Sequence, residues 1–129
     1  MKNAIDLMIV DDNSHARQAL TVYLSQQEGV RVIAQASSGL EAVSLAERKH
    51  PDIILMDLQM PLMDGLEATR AVKKSWPEIK VIVLTLHPNF EEDAYLAGAD
   101  RFLVKGCSVS EMMKTILELI QEDMLVCIR

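Results

Sequence analysis

The 129-residue chain has few aromatics: one Trp, two Tyr and two Phe. A platform that stacks nucleic-acid bases needs several aromatic faces, so the composition argues against one. Basic residues are in the minority, 13 Lys and Arg against 19 Asp and Glu, and they form no block or stripe. With a net charge of −6, this stretch offers no electrostatic footprint for a phosphate backbone. Cys107 and Cys127, the two cysteines, fit no metal spacing and suggest no disulfide framework. No apolar run approaches the roughly 18 residues of a membrane span. The N-terminal stretch Ala4 to Val10 is interrupted by Asp6 and is too short for a signal core. The expected setting is a reducing cytoplasm, without a membrane partner.

Apolar residues make up 50% of the chain, enough for a sizeable core in one ordinary domain. The eight methionines suit irregular gaps in such a core. Short apolar runs alternate with helical patterns along the whole length. Strands are predicted at Ile5 to Val10, Val30 to Ala36, Asp52 to Asp57, Lys80 to Thr85 and Arg101 to Lys105. The first helix is predicted from Ser14 to Gln27, with Ala16, Ala19, Leu20, Tyr23 and Leu24 on its apolar face. Capping boxes at Ser38–Glu41 and Ser108–Glu111 open the second and last helices. Asp64 caps the third helix after a Pro61- and Gly65-containing loop, and Gly98 closes a short fourth one. The last helix carries a stripe of Met112, Met113, Ile116, Leu117 and Ile120.

Strands joined by helices through short loops make right-handed βαβ units with helices on both sheet faces. The expected fold is α/β, a flavodoxin-like (βα)5 arrangement. Its five-stranded, parallel, doubly wound sheet takes the common order 2-1-3-4-5. Strands buried on both faces read as nearly continuous apolar runs, as these do. All strand C-termini then share one edge, where ligand crevices form. Asp11 and Asp12 follow the first strand, Asp57 ends the third, Thr85 the fourth and Lys105 the fifth.

Three carboxylates, a hydroxyl and an ammonium at one edge point to a Mg²⁺-dependent aspartyl-phosphate site. Mg²⁺ takes oxygen ligands, usually one or two carboxylates plus a phosphate, and keeps several waters. Asp12 and Asp57 can ligate it directly, Asp11 through a water, and the main-chain carbonyl of Gln59 can complete the set. Asp57 is the candidate nucleophile, since a carboxylate accepts a phosphoryl group without a general base. Lys105 and Thr85 are placed to hold the oxygens of the migrating group, whose transfer depends mostly on positioning and charge.

Over essentially its whole length the chain resembles the receiver domain of two-component response regulators. The resemblance rests on Ile9-Val10-Asp11-Asp12, on Met56-Asp57 through Asp64-Gly65, on Val83-Leu84-Thr85 and on Gly98-Ala99 to Lys105. It implies that Asp57 takes phosphate from a sensor histidine kinase or a phosphotransfer protein. It also implies a signalling domain that promotes its own phosphorylation and dephosphorylation, rather than an enzyme with an external substrate. Thr85 becomes the switch hydroxyl and Phe102 the rotating aromatic, altering a face that includes Phe90 and Tyr95. The run Lys105-Gly106-Cys107-Ser108, with Gly where many receivers carry Pro, resembles the subgroup with a LuxR-type helix-turn-helix output domain.

The expectation is therefore one receiver domain over residues 1–129, with 122–129 a tail or the start of a linker. It would regulate transcription through a DNA-binding domain absent from this chain, with homodimerisation possible. The apolar tail from Met124 to Arg129 can extend the last helix, add a strand or pack on a partner. The competing reading is a complete single-domain receiver, acting by protein contact or as a phosphorelay intermediate. Leu86, larger than the small residue many receivers carry there, is expected to tune phosphoryl loss together with His87 and Gln59. His87 otherwise reads as a surface residue, as do His15 and His50. An aspartyl phosphatase wants an acidic residue two positions past its nucleophile, where this chain has Gln59. A flavin carrier needs a phosphate-cradling loop after the first strand, where Asp11-Asp12-Asn13 would repel phosphate.

Overall fold

A computed structural model describes residues 4–60 and 63–128, with 123–128 described as backbone. Strands β1 (Ile5–Val10), β2 (Val30–Ala36), β3 (Ile53–Met56), β4 (Lys80–Thr85) and β5 (Arg101–Val104) form one parallel sheet in the order β2-β1-β3-β4-β5. Between them run helices α1 (Ser14–Ser25), α2 (Gly39–Lys49), α3 (Gly65–Ser75) and α4 (Glu91–Leu96), and α5 (Val109–Ile128) closes the chain. A single 3-10 turn, Pro88–Phe90, leads into α4. Pro61 and Leu62 of the predicted loop, and Arg129 of the predicted tail, lie outside the described residues.

Alternation along the strands builds two cores. Met8, Val10, Ile54, Met56, Val81 and Val83 point to the side of α2, α3 and α4, packing against Ala42, Ala46, Ala68, Val72 and Ala94. Leu7, Ile9, Ile53, Leu55, Ile82 and Leu84 point the other way, against Leu24 of α1 and Met112, Ile116 and Leu119 of α5. Each β3 residue is buried, because helices cover both sheet faces.

Local chemistry sets the helix starts. Asn13, Ser38 and Asp64 each accept a backbone N–H from the residue three positions on, opening α1, α2 and α3. The Ser108 hydroxyl accepts from Glu111 N–H in the same way at α5. The Ser38 box closes differently from expectation, with Glu41 reaching the N–H of Ser37. At the far end of α2, His50 takes a left-handed conformation, φ 45°, ahead of Pro51.

Two predicted helix faces are corrected. On α1 only Leu24 is buried and Leu20 half-buried, while Ala16, Ala19 and Tyr23 are exposed. The inward side is shared with Arg17 and Thr21, whose side chains bond the carbonyls of Asp11 and Arg17. On α5 Leu119 is buried and Leu117 exposed. The predicted ends of β3 and β5 also shrink: Asp57 and Lys105 stand just past their strands, at the open edge.

Candidate functional site

The β3 ladder places Asp57 between its neighbours, with Asp57 N–H donating to the carbonyl of Val10 on β1. Asp11 follows Val10 and donates its own N–H to Ala36 at the end of β2. Lys105 N–H donates to the carbonyl of Thr85, joining the ends of β5 and β4. Backbone pairing alone therefore brings the tips of all the strands together.

The side chains converge accordingly. Carboxylate oxygens of Asp11, Asp12 and Asp57 lie within 4.8 Å of one another. Lys105 Nζ donates to Asp11 Oδ2 at 2.9 Å and stands 3.5 Å from Asp57 Oδ1. Asp11 and Asp57 are buried, Asp12 is exposed and Lys105 half-buried. Asp11 has both oxygens engaged, since Oδ1 accepts from Asn13 N–H at 2.9 Å. On Asp57 the bonds fall on Oδ1, which also accepts from Leu58 N–H at 2.9 Å, so Oδ2 faces no donor among the described residues.

Burial pushes the Asp57 carboxyl above its ordinary range. Lys105 and the Leu58 N–H oppose that rise, while the charges of Asp11 and Asp12 add to it. Burial alone would lower the Lys105 ammonium, but the hydrogen bond it donates to Asp11 and the charges of Asp57 and Asp11 outweigh it and raise the value. Burial and the Glu111 charge raise the Cys107 thiol, which stays protonated and a poor nucleophile. The arrangement is an acidic cluster only partly compensated by one ammonium. Its crowded carboxylate oxygens are the donor set that a hard, oxygen-preferring divalent cation takes, so the residues present fit Mg²⁺.

Thr85 is buried at the end of β4. Its hydroxyl oxygen accepts from His87 N–H at 3.3 Å. Phe102 pairs with Val83 across β4 and β5 and packs, half-buried, on the α2–α4 side of the sheet. Val83 faces that same side and Thr85 follows it by one strand period, so Thr85 and Phe102 share a face. Leu86 is 65% exposed. Gln59 is exposed as well, and its side-chain oxygen pairs with His87 Nε2 at 3.1 Å. Sequence reasoning grouped His87 and Gln59 with Leu86 beside the phosphoryl site, and otherwise placed His87 on the surface, but it did not join the two by a direct bond. His15 is exposed, and exposed His50 pairs with Glu78 at 3.1 Å.

Gly65 also escaped as a site residue. A Cβ there would stand 2.0 Å from the Asp57 carbonyl oxygen and 2.7 Å from Leu58 Cα. Only glycine lets α3 start that close behind the Asp57 peptide, where Gly65 N–H bonds the Leu58 carbonyl.

Comparison with known proteins agrees with this geometry. Response regulator protein VraR of Staphylococcus epidermidis is 40% identical over 118 residues, covering 88% of this chain and 55% of that protein. Response regulator GacA of Pseudomonas aeruginosa is 39% identical over 117 residues, covering 87% of this chain and 53% of that one. The chain thus spans about half the length of the curated relatives it matches. The crystal structure of a LuxR-family two-component response regulator from Aurantimonas sp. SI85-9A1 superposes with a TM-score of 0.87 at 28% identity, covering 92% of this chain and 86% of that one. The response regulator receiver domain pattern matches residues 7–117. With this sheet order and this match, the chain belongs to the response regulator receiver domain family, a family of signalling domains, and resembles its LuxR-type subgroup.

Proposed function

We propose that Asp57 accepts a phosphoryl group from the phosphohistidine of a sensor histidine kinase, or of a phosphotransfer protein, in the cytoplasm. Asp57 Oδ2 attacks phosphorus, the P–N bond breaks and the imidazole of the donor leaves. The observation that carries this reading is the cluster itself: Asp11, Asp12 and Asp57 within 4.8 Å, with Lys105 on its flank. Asp11, Asp12, Asp57 and the main-chain carbonyl of Gln59 would hold Mg²⁺, which supplies positive charge for the phosphoryl oxygens. Lys105 holds its ammonium beside Asp57 and stabilises charge on the incoming group. The Thr85 hydroxyl, buried at the neighbouring strand end, donates to a phosphoryl oxygen and draws the end of β4 inward.

Phosphorylation adds up to about two negative charges and strong acceptors at this point. Movement of Thr85 makes room on the face it shares with Phe102. The change then reaches α4, β5 and α5, where Tyr95, Leu96 and Val104 are exposed. The output is a DNA-binding domain in the same protein, with a second copy of the chain as a possible partner. The half-length match to VraR and GacA, and the LuxR-family neighbour, support a transcriptional output.

Incubation with Mg²⁺ and acetyl phosphate tests the reading. One acid-stable, base-labile phosphoryl adduct is expected by mass spectrometry, absent from Asp57→Asn. An adduct that survives in that variant, or none in the wild type, refutes it.

A further inference from the structure

We infer that His87 and Gln59 form a latch that holds the site in its unphosphorylated arrangement, an inference that rests on the phosphoryl transfer proposed above. Gln59 stands two residues past Asp57 and His87 two past Thr85, on the loops that follow neighbouring strands β3 and β4. Their side chains meet at 3.1 Å, tying one loop to the other at the open edge of the sheet. An amide oxygen only accepts, so this pairing places the ring hydrogen on Nε2.

His87 has other attachments. Its main-chain N–H donates to the Thr85 hydroxyl oxygen at 3.3 Å. Its ring meets Phe90 edge-on, with centroids 6.0 Å apart and planes at 84°. One residue thus connects the loop behind the phosphoacceptor, the switch hydroxyl and the 3-10 turn that leads into α4. Moving Thr85 Oγ towards a phosphoryl oxygen pulls on the His87 N–H, and a shift of the loop after Asp57 pulls on the His87 ring. Both events work against the same bond. A contact made in one state and lost in the other biases the equilibrium between them, whichever moves first. Since the bond lies near the surface, its effect is modest, on the order of twofold to tenfold in the population of the reactive arrangement.

The bond can be broken from either side. His87→Ala and Gln59→Ala, the latter leaving the main-chain carbonyl in place, are expected to speed phosphoryl uptake from acetyl phosphate by about twofold to tenfold. In metal-free protein without a phosphodonor, both are expected to raise amide hydrogen exchange across residues 86–97. The double variant changes no more than either single one, because each removes the same bond. The exchange variant Gln59→His with His87→Gln, which rebuilds the pairing, returns both readouts towards wild type. Additive effects, slower uptake, or exchange at 86–97 equal to wild type overturns the latch while leaving phosphoryl transfer intact. A wild-type protein that takes up no phosphoryl group overturns the transfer and the latch with it.

Discussion

Asp57 pulls stability and function in opposite directions. Burial and two neighbouring carboxylates make its charged form unfavourable, although the ionised form is the one that the proposed phosphoryl transfer needs. The folded chain holds this proton more tightly than the unfolded chain, where the value is the ordinary 3.8. As pH rises from 3.8 through the raised folded value, the native state carries the extra proton, so the Asp57 contribution to stability falls. Above that window the ionised carboxylate is a standing cost. Asp57→Asn is therefore expected to melt higher than wild type at pH 7 in metal-free buffer, with the gap closing as pH drops to 3.8. Scanning calorimetry across that range reads it, and an Asn variant that melts lower at pH 7 contradicts the electrostatic account. Lys105 has the same slope in a far more alkaline window: its raised value stabilises the fold below 10.5, and the contribution fades as pH climbs through the folded value.

At the scale of elements, the start of α3 fixes where Asp57 can be. Gly65 leaves no room for a Cβ against the Asp57 carbonyl, a backbone atom that cannot rotate away. Gly65→Ala is expected to cost about 1–3 kcal/mol or more, as overpacking does. It should also slow phosphoryl uptake by displacing the Asp57 peptide. Urea unfolding with acetyl phosphate kinetics separates the effects, and an Ala variant of unchanged stability would mean α3 is free to back away. The strands were legible because parallel β1, β3 and β4 are apolar at nearly every position, and their polar successors marked the site. Helix faces were harder. On α1, Arg17 and Thr21 face inward by bonding backbone carbonyls, so hydropathy centred the stripe on the exposed Tyr23 side. Gln59 and His87 were grouped with Leu86 around the site, but their direct hydrogen bond was invisible because two residues far apart in sequence carry no local pattern. Gly106 is a middle case. Its φ of +100° suits glycine, and the sequence marked it only as a departure from proline.

For the whole molecule, the acidic cluster couples folding to a cation. Asp11 and Asp12 come from the end of β1 and Asp57 from the end of β3, so the cluster exists only when the sheet is assembled. A divalent ion that binds there binds the native state and not the unfolded chain, and stabilises by mass action. At a hundredfold excess over Kd the gain is about 2.7 kcal/mol, roughly 10 °C in Tm for a domain of this size. Monovalent salt at equal ionic strength screens the repulsion between Asp12 and its neighbours but cannot bridge them, so its shift is expected to be smaller. EDTA is expected to return the wild-type protein to its metal-free melting temperature. Asp12→Asn, which removes a proposed oxygen ligand, is expected to lose most of the magnesium shift, while the native sheet, to which exposed Asp12 contributes no packing, persists. Equal shifts from magnesium and matched sodium chloride would show that the carboxylates gather only as a repulsive surface, without the cradle their spacing implies.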